Sequence, residues 1–407
     1  MISVDRHLAD CLAAVGPLAV ETVPLARAHR RVIGADVASP IALPGFDNSS
    51  MDGFAVRAAE VSGVPLVLPV SGESAAGGAL PGPLTERTAV RIMTGAPLPH
   101  GADAVVPVEW TGGWADGTSV RLDRSPDAGA HVRRAGEDVS VGEIVLTTGT
   151  LLTSRHVALL AAVGCAEVPV HRSPRVAVLS SGSELVPPGR PLGPGQIHES
   201  NGHGLVAAAS ALGATAAYLG IVPDDAAAVR ALLAEAARDA DLVLTSGGVS
   251  AGVYDTVKEV LTGIGTVRFE KVAMQPGMPQ GFGTIDGVPI FTLPGNPVSS
   301  MVSFEVFVGP VIRALSGARD PASRTAVRAV AAEAWRSPEN RRQFARAVLS
   351  PDADGGRFSV RPVGAQGSHL VADLAAATCL AVVPEGVGAV EAGDELECLL
   401  LSEASWT

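Results

Sequence analysis

The feature that most restricts the fold is an alternation of short apolar runs and helical patterns from Pro174 to Leu315. The apolar runs are Val176 to Leu179, Ala217 to Val222, Leu242 to Thr245 and Pro289 to Leu293. Helical patterns such as Ala226 to Arg238 and Val298 to Leu315 lie between or after them. Parallel strands need crossover connections of this kind, and their sheets are covered on both faces. The pattern predicts a three-layer α/β domain with a parallel-rich sheet over residues 173–318.

The rest of the chain is predicted to consist of three further regions. Residues 41–132 contain short strand patterns punctuated by Gly and Pro, which indicates a small inserted β-rich domain. Residues 1–40 and 133–172 flank it with helical and extended patterns, and we expect them to form one linking domain. Residues 319–407 again have strand patterns and predict a C-terminal β domain. The fold class is therefore α/β multidomain.

Composition and charge exclude several function classes. A hydrophobic fraction of 47% over 407 residues is enough for several packed cores. The formal net charge of -12 argues against a nucleic-acid partner, because phosphate-backbone affinity needs clustered Lys and Arg. The scattered cysteines show neither metal-ligand spacing nor disulfide density, which indicates reduced thiols in a cytoplasmic protein.

One stretch requires a test for a membrane span, because residues 204–223 carry no charge over about the length of a bilayer crossing. The stretch is interrupted by Gly213, where a helix would be capped, and it continues as the strand-like run Tyr218 to Val222. We predict a helix, a cap and a buried strand there, and no membrane association.

Three polar turns follow three of the predicted strands, and we name them by composition. The glutamate turn is Ser180-Ser181-Gly182-Ser183-Glu184, the glycine turn is Thr245-Ser246-Gly247-Gly248-Val249-Ser250, and the proline turn is Pro294-Gly295-Asn296-Pro297. Ligands of open α/β sheets bind beyond the carboxyl ends of the strands, where such turns converge. We expect the three turns to line one crevice.

The glycine turn is suited to hold phosphate or another oxyanion. Gly247 and Gly248 allow the backbone to approach a ligand, and Ser246, Ser250 and the following amides offer donors. A lone turn of this composition is more often purely structural. In the proline turn, Pro297 fits the first position of a helix that Asn296 caps, which is an equally good structural explanation. The conjunction of the turns is what favours a ligand site.

Acidic residues recur near these turns, and they are Asp138, Glu184, Asp224 and Asp255, with Asp52 of the β-rich domain as a fifth. Carboxylates around a phosphate-binding crevice suit Mg²⁺, which usually takes one or two of them together with waters and substrate phosphate oxygens. We expect Glu184, Asp224 and Asp255 to hold this metal.

Some of these acids also have structural explanations. Asp224 is placed to cap the helix that follows it, and Asp52 with the glycine after it is typical of a hairpin turn. Asp255 is not needed as a cap, because Thr256 and Glu259 already have the spacing of a capping box.

Five stretches of the chain resemble the signatures of one family. They are Phe46 to Val56 (FDNSSMDGFAV), Arg91 to Ala96 (RIMTGA), Gly136 to Asp138 (GED), Ser246 to Ser250 (SGGVS) and Leu293 to Ser299 (LPGNPVS). In this order they resemble the molybdopterin molybdenumtransferases, bacterial relatives of the gephyrin C-terminal region. The resemblance extends over essentially the whole chain.

The resemblance implies an elongated homodimer of four-domain subunits. The α/β nucleotide-binding domain would bind adenylylated molybdopterin, and the β-rich domain of the partner subunit would complete the site. The implied reaction inserts molybdate with Mg²⁺-dependent release of AMP. Transient contacts with the molybdopterin adenylyltransferase and with acceptor molybdoenzymes are further expectations. The implied functional residues are Asp52, Thr94, Asp138, Glu184, Asp224, Ser250, Asp255, Pro294 and Pro297.

The chain departs from the family pattern in two places. Where the family often has Lys-Pro-Gly-Lys-Pro, this chain has Gln275-Pro276-Gly277-Met278-Pro279 and so lacks two cations. Oxyanion affinity is expected to be weaker, or to come from Lys271 or an arginine. The glutamate turn keeps Glu184 but lacks the acid that commonly precedes it.

Two alternative functions stay open at this stage. A pterin adenylyltransferase of the sister family would use a similar nucleotide-binding domain, although the Asp52 stretch and the additional β regions argue against it. A noncatalytic scaffold that binds a pterin or a partner protein is the second alternative.

Overall fold

The middle region forms a six-stranded sheet whose parallel part is the one predicted. The structure is a computed structural model that describes residues 1–114, 118–222, 225–249, 256–264, 266–351 and 356–401. The sheet has the strand order Thr215–Val222, Arg175–Ser181, Leu242–Ser246, Val288–Leu293, Pro279–Ile285 and Arg268–Lys271. The first four strands are parallel. The last two are antiparallel, and the sequence analysis did not predict them.

Helices cover both faces of this sheet. On one face, residues of the helices Val4–Ala13, Asn201–Ala211, Pro297–Ser303 and Gly309–Leu315 pack in one apolar cluster with the strands. On the other face the cluster contains residues of Ala226–Asp239 and Thr256–Ile264. The three-layer α/β architecture is therefore confirmed, with the first helix of the chain added to one layer.

The helix Ala226–Asp239 shows how local sequence sets its limits. Val229, Leu233 and Ala236 are buried on one face. The Asp225 carboxylate accepts a hydrogen bond of 2.7 Å from the Ala228 backbone N–H, so Asp225 is the N-cap. The expectation that Asp224 caps this helix is wrong, because the adjacent aspartate already satisfies the free amide.

The charge-free stretch 204–223 has the predicted helix and cap. The helix Asn201–Ala211 is followed by Gly213 at φ +87°, which satisfies the left-handed position after the helix. The strand Thr215–Val222 is an edge strand that is only partly buried, so the prediction of a buried strand is wrong.

A second apolar stretch, Pro297–Leu315, has the length and composition of a membrane span. It contains the π-helical turn Phe304–Val308 between two α-helices, and 78% of its most apolar window is buried inside the protein. It therefore packs as a core helix of the α/β domain.

The β-rich region contains a five-stranded sheet with the order Ala104–Pro107, Gly53–Val56, Ala89–Ile92, Leu66–Ser74 and Ser119–Leu122. Phe54 and Val106 lie in its core. The short strands Asn48–Ser49 and Val132–Arg133 pair where the chain enters and leaves the region. The inserted β-rich domain is confirmed.

The linking region joins chain segments that are far apart in sequence. Val20–Pro24 pairs antiparallel with Glu167–His171, and Val37–Ala38 pairs with Ile144–Leu146. Its helix is Ser154–Ala162, capped by Thr153 in a capping box with His156.

The C-terminal region is a closed barrel. Its strands are Arg342–Pro351, Phe358–Pro362, Ala326–Ala331, Glu395–Leu400 and Cys379–Val383, and the last pairs back with the first. Met274–Gln275 of the α/β region adds to it as a short parallel strand beside Arg342 and Gln343. The predicted C-terminal β domain is confirmed. The boundaries after residues 40, 132, 172 and 318 stay predictions.

Candidate functional site

The glutamate, glycine and proline turns lie together at the carboxyl ends of the parallel strands. They line a cleft of about 880 Å³. The fourth wall comes from the loop 274–279, and a loop of the C-terminal barrel at 366–369 closes one side. The expectation of one crevice is confirmed, and the crevice lies between two folded regions, where a ligand would contact both.

In the glycine turn, only glycine fits at position 247. Gly247 has φ +91° and Gly248 has φ +81°, both left-handed. A Cβ on Gly247 would collide with the backbone oxygen of Ser181, so the glycine and glutamate turns are in backbone contact. The Gly247 N–H donates to the carbonyl of Leu293 at 2.9 Å, which joins the glycine turn to the strand that ends in the proline turn. Ser250 lies outside the described residues.

The proline turn begins a helix and also contacts the barrel. Pro297 occupies the first turn of the helix, and Asn296 precedes it at the N-cap position. The Asn296 side chain makes no capping bond, so that part of the interpretation is wrong. Its amide donates to the Ser368 hydroxyl at 2.8 Å, and the Val298 N–H donates to the Ser368 carbonyl at 3.1 Å. These bonds fix the barrel loop against the cleft.

A buried arginine holds the barrel loop in place. Arg346 is 1% exposed, and its guanidinium donates to the carbonyls of Ala365 at 2.6 Å and Gly367 at 2.8 Å. Burial lowers the pKa of Arg346, and the charge of Asp373 opposes this effect. Removing this guanidinium would leave two loop carbonyls without their donor, at a cost of about 1–3 kcal/mol. Arg346 therefore determines the shape of a loop that lines the cleft.

The charge balance of the cleft differs from that of a typical oxyanion site. Its described lining contains two acidic residues, Glu184 and Glu199. Among the described lining residues, one basic side chain of the Lys or Arg type is present, and it is Arg341. Gln275 and Met278 also line it. Lys271 ends the edge strand of the sheet and does not line the cleft, so of the two expected sources of cation the arginine is the one found there.

Asp52 and Thr94 form a hydrogen-bonded pair at the edge of the β-rich region. The Asp52 carboxylate accepts from both the Thr94 backbone N–H and the Thr94 hydroxyl, each at 2.7 Å. The backbone bond first, and then the hydroxyl bond, lower the pKa of Asp52, whose side chain is exposed. The hairpin interpretation is wrong, because Asp52 precedes the strand Gly53–Val56 instead of turning the chain.

Asp138 lies in a neighbouring loop. Its backbone N–H donates to the Leu43 carbonyl at 3.0 Å, and its side chain is exposed. The same loop is fastened by Asp47, whose carboxylate accepts from the Arg134 guanidinium at 2.6 Å and the Ala135 N–H at 2.8 Å. Asp52, Thr94 and Asp138 do not line the cleft of their own chain. Within one chain, the predicted site residues therefore lie in two places. One is the cleft, and the other is an exposed acidic edge formed by Asp52, Thr94 and Asp138.

The metal prediction rests on residues that the structure describes only in part. Glu184 is exposed on the cleft wall, whereas Asp224 and Asp255 lie outside the described residues. Among those described, no group of three or more His, Cys, Asp or Glu is arranged to hold a metal ion. Mg²⁺ usually takes one or two protein carboxylates and completes its shell with water and ligand oxygens, so an exposed carboxylate such as Glu184 in the lining of a cleft fits it.

Sequence reasoning did not select several residues that line or support the cleft. They are Glu199, Asn201, Arg341, Arg346 and Ser368. Glu199 lies two residues before a helix and Asn201 begins it, so their composition suggests only capping. The barrel residues carry no local signal, because their position near the cleft depends on the docking of two distant regions.

Comparison with known families covers nearly the whole chain. Residues 2–164 match the MoeA N-terminal region (domain I and II), residues 177–314 match the family described as "Probable molybdopterin binding domain", and residues 328–401 match the MoeA C-terminal region (domain IV).

Full-length relatives agree with these matches. The chain is 47% identical to molybdopterin molybdenumtransferase 2 of Mycobacterium tuberculosis, over 98% of this chain and 99% of that protein. It is 39% identical to molybdopterin molybdenumtransferase of Haemophilus influenzae, over 97% of both. A crystal structure of molybdopterin biosynthesis MoeA protein from Pyrococcus horikoshii superposes with a TM-score of 0.84 at 27% identity, covering 98% of this chain and 100% of that one. By sequence and by fold, the chain belongs to the molybdopterin molybdenumtransferase family.

Proposed function

We propose that this protein inserts molybdate into adenylylated molybdopterin and releases AMP, as a step of molybdenum cofactor biosynthesis. The observation that carries the proposal is the convergence of the three turns on one cleft of about 880 Å³ in a chain of this family. A cleft of this volume suits a small-molecule ligand the size of a nucleotide. The proposed reaction is inferred from family membership, and the proposed binding site is inferred from the cleft.

The residues of the cleft have different proposed roles, which follow from their chemical type. The left-handed Gly247 and Gly248 bring backbone close to the ligand without a side chain between them. The Arg341 guanidinium offers fixed positive charge to phosphate or molybdate oxygens. Catalysis of this kind consists of positioning and charge stabilisation, so it needs no covalent intermediate with the protein.

Mg²⁺ is part of the proposal. Glu184, Asp224 and Asp255 would hold it. When bound, it would neutralise charge on the phosphoanhydride oxygens. Glu184 is the member of this set whose position in the cleft is described.

We further propose that the site is shared between two subunits of a homodimer. Asp52 and Thr94 are exposed and do not line the cleft of their own chain. The two hydrogen bonds from Thr94 hold the Asp52 carboxylate in one orientation, so a second subunit that docks on this edge would meet an ordered acid. A second copy of the chain would bring this acidic edge to the cleft, as symmetric dimers do when both subunits complete each other's sites.

The primary test is release of AMP from adenylylated molybdopterin by the purified full-length protein. We expect release that requires both molybdate and Mg²⁺, measured by chromatography of the nucleotide product. Product formation without molybdate, or none under any condition, would contradict the proposed reaction.

A complementation test addresses the shared site. Asp52→Ala and Glu184→Gln subunits are each expected to be inactive alone, because each lacks one half of every site. Mixing them by unfolding and refolding, or by coexpression, should restore about a quarter of the wild-type rate, since half of the dimers are mixed and each has one intact site. If the mixture stays inactive while mixed dimers are present, both groups act within one chain and the shared site is wrong.

The alternatives from the sequence have less support. Relatives that cover the whole chain carry the molybdenumtransferase name, and the match includes the N-terminal and C-terminal regions. ATP consumption with unadenylylated molybdopterin would favour the adenylyltransferase. Tight AMP binding without turnover would favour the scaffold.

We propose that the reaction takes place in the cytoplasm. The four cysteines are free thiols, as in a reducing compartment. The proposed partners are a second copy of this chain and, transiently, the molybdopterin adenylyltransferase and acceptor molybdoenzymes. The net charge of -12 supports the exclusion of nucleic acid as a partner.

A further inference from the structure

The segment from Glu199 to Gly202 is in contact with all three turns of the cleft. It connects the short strand Ile197–His198 to the helix Asn201–Ala211. Glu199, Ser200 and Asn201 line the cleft. Capping the helix explains one bond of this segment, but its other bonds reach residues far away in the sequence.

Asn201 joins the glycine turn to the proline turn. Its side-chain nitrogen donates to the Ser246 hydroxyl at 2.6 Å and to the Gly295 carbonyl at 2.8 Å. Both acceptors lie at the carboxyl ends of neighbouring strands. An amide nitrogen has two N–H donors, so one side chain can hold both acceptors at a fixed separation, which a carboxylate cannot do.

Glu199 joins the same segment to the strand that leads into the glutamate turn. Its Oε1 accepts from the Ser180 hydroxyl at 2.8 Å and from the Gly202 backbone N–H at 2.7 Å. Glu199 is 2% exposed. The bond to Gly202 satisfies a free amide in the first turn of the helix, which places Asn201 in a fixed orientation.

On the cleft side, one backbone hydrogen bond, from the Gly247 N–H to the Leu293 carbonyl at 2.9 Å, ties the glycine turn to the strand before the proline turn. Beyond that bond, Gly247 packs closely on the Ser181 backbone, and Gly295 lies close to the Gly247 Cα with no side chain between them. Glycines lose more conformational freedom on folding than other residues, so a glycine-rich junction needs external bonds to hold one geometry.

We propose that Asn201 is a positioning residue that sets the separation of the glycine and proline turns, and that Glu199 orients Asn201 for this purpose. The inference rests on the proposed function, because it assigns to the cleft a nucleotide whose phosphate depends on that separation. Asn201 contacts no reacting atom in this proposal. It keeps the oxyanion-facing backbone arranged before the ligand arrives.

The test uses Asn201→Asp in the full-length protein, because aspartate has the same shape but no donor. Ser210→Asp is the charge-matched control, at an exposed position on the same helix. The first measurement needs no ligand: hydrogen–deuterium exchange at the Gly247 and Gly248 amides. The second is equilibrium binding of AMP by calorimetry.

We expect Asn201→Asp to speed exchange at these glycine amides and to weaken AMP binding, each by about tenfold or more, because two hydrogen bonds between the turns are lost. Asn201→Ala should have the same effects in weaker form, and Ser210→Asp should have neither. Unchanged exchange in Asn201→Asp would overturn the proposal. Faster exchange with unchanged AMP affinity would also overturn it, because the bonds would then be purely structural.

The two proposals fail in different ways. If the wild-type protein does not bind AMP, the proposed function is contradicted. The exchange measurement still decides whether Asn201 holds the two turns together.

Discussion

In the α/β domain, the turns that form the cleft are joined to one another by buried or half-buried side chains such as Glu199 and Asn201. In the β-rich region, by contrast, Asp52 is on the surface and receives its hydrogen bonds from Thr94 alone in the described structure. The cleft is held together by bonds within the protein, whereas the Asp52 edge presents a single oriented charge. Substitutions in the cleft should therefore change binding and stability together, and substitutions at the edge should change mainly turnover.

The largest expected effect is on turnover in Asp52→Ala. We expect AMP release to fall by about a hundredfold or more, the usual loss when a positioned acid–base or charge-stabilising group is removed. The melting temperature should fall only slightly, because the side chain is exposed and loses only its two bonds to Thr94. Steady-state AMP release and a thermal unfolding curve measure the two quantities.

The control for this change is Asp123→Ala. Asp123 is an exposed acid of the same region, paired with Arg121 at 2.9 Å, and exposed pairs contribute little. Wild-type turnover in Asp52→Ala would remove the edge from the proposed site.

The next largest effect is on stability in Gly247→Ala. A left-handed φ of +91° and the collision with the Ser181 backbone should lower the free energy of unfolding by about 2–3 kcal/mol. Gly287→Ala is the matched control, with φ +82° and open space around the added Cβ, and it should cost about 1 kcal/mol. Urea unfolding measures both. Equal losses would mean that backbone contact between the turns has no energetic role.

A smaller effect is expected for the cation of the cleft. Arg341→Ala should weaken AMP binding about tenfold, because it removes a charged donor from a cleft with two carboxylates. Arg341→Lys should recover part of the affinity, since a lysine keeps the charge but not the planar fork. Arg336→Ala, an exposed arginine near the same barrel, should bind as the wild type does. Titration at two salt concentrations measures the electrostatic share.

The reverse change adds charge to the same wall. Met278→Lys should tighten AMP binding by a few-fold at low salt, because an exposed charge gains roughly 1 kcal/mol at contact distance in water. Met278→Leu, which changes shape without charge, should leave the affinity unchanged. Weaker binding in Met278→Lys would mean that this wall does not face the anion.

The smallest effect is a shift in pH dependence in Thr94→Val. The Thr94 N–H and hydroxyl lower the pKa of Asp52, so the ionised form persists as the pH falls below the ordinary range of an aspartate. Valine removes the hydroxyl bond but keeps the backbone bond, so the pKa should rise part of the way back. The acid limb of the rate profile should then move to higher pH, with no change well above it. An unmoved limb would show that another group controls it.

The sequence predicted the regular part of this molecule well for a physical reason. Buried parallel strands must be apolar along their whole length, so runs such as Leu242 to Thr245 are visible without any partner. The antiparallel strands Arg268–Lys271 and Pro279–Ile285 escaped prediction, because the first is partly exposed and mixed in charge and the second contains two glycines.

The site was predicted only where local sequence carries its chemistry. The glycine turn and Glu184 were selected because three polar turns follow predicted strands, and the structure places both in the cleft. Arg341 and Ser368 could not be found this way, since their role depends on where the barrel docks. Asn201 was hidden differently, because a polar residue at a helix start is ordinary until its distant acceptors are known.

The short parallel pairing of Met274–Gln275 with the barrel has a consequence for how such proteins can be recombined. The cleft wall at Met274–Gln275 is held by a strand of the barrel, so the α/β region and the barrel should be exchanged together. A chimera that receives the α/β region from one relative and the barrel from another would have a mismatched interface along its ligand cleft. Chimera junctions between the linking and β-rich regions avoid that interface, because the chain enters and leaves the β-rich region through the paired strands Asn48–Ser49 and Val132–Arg133.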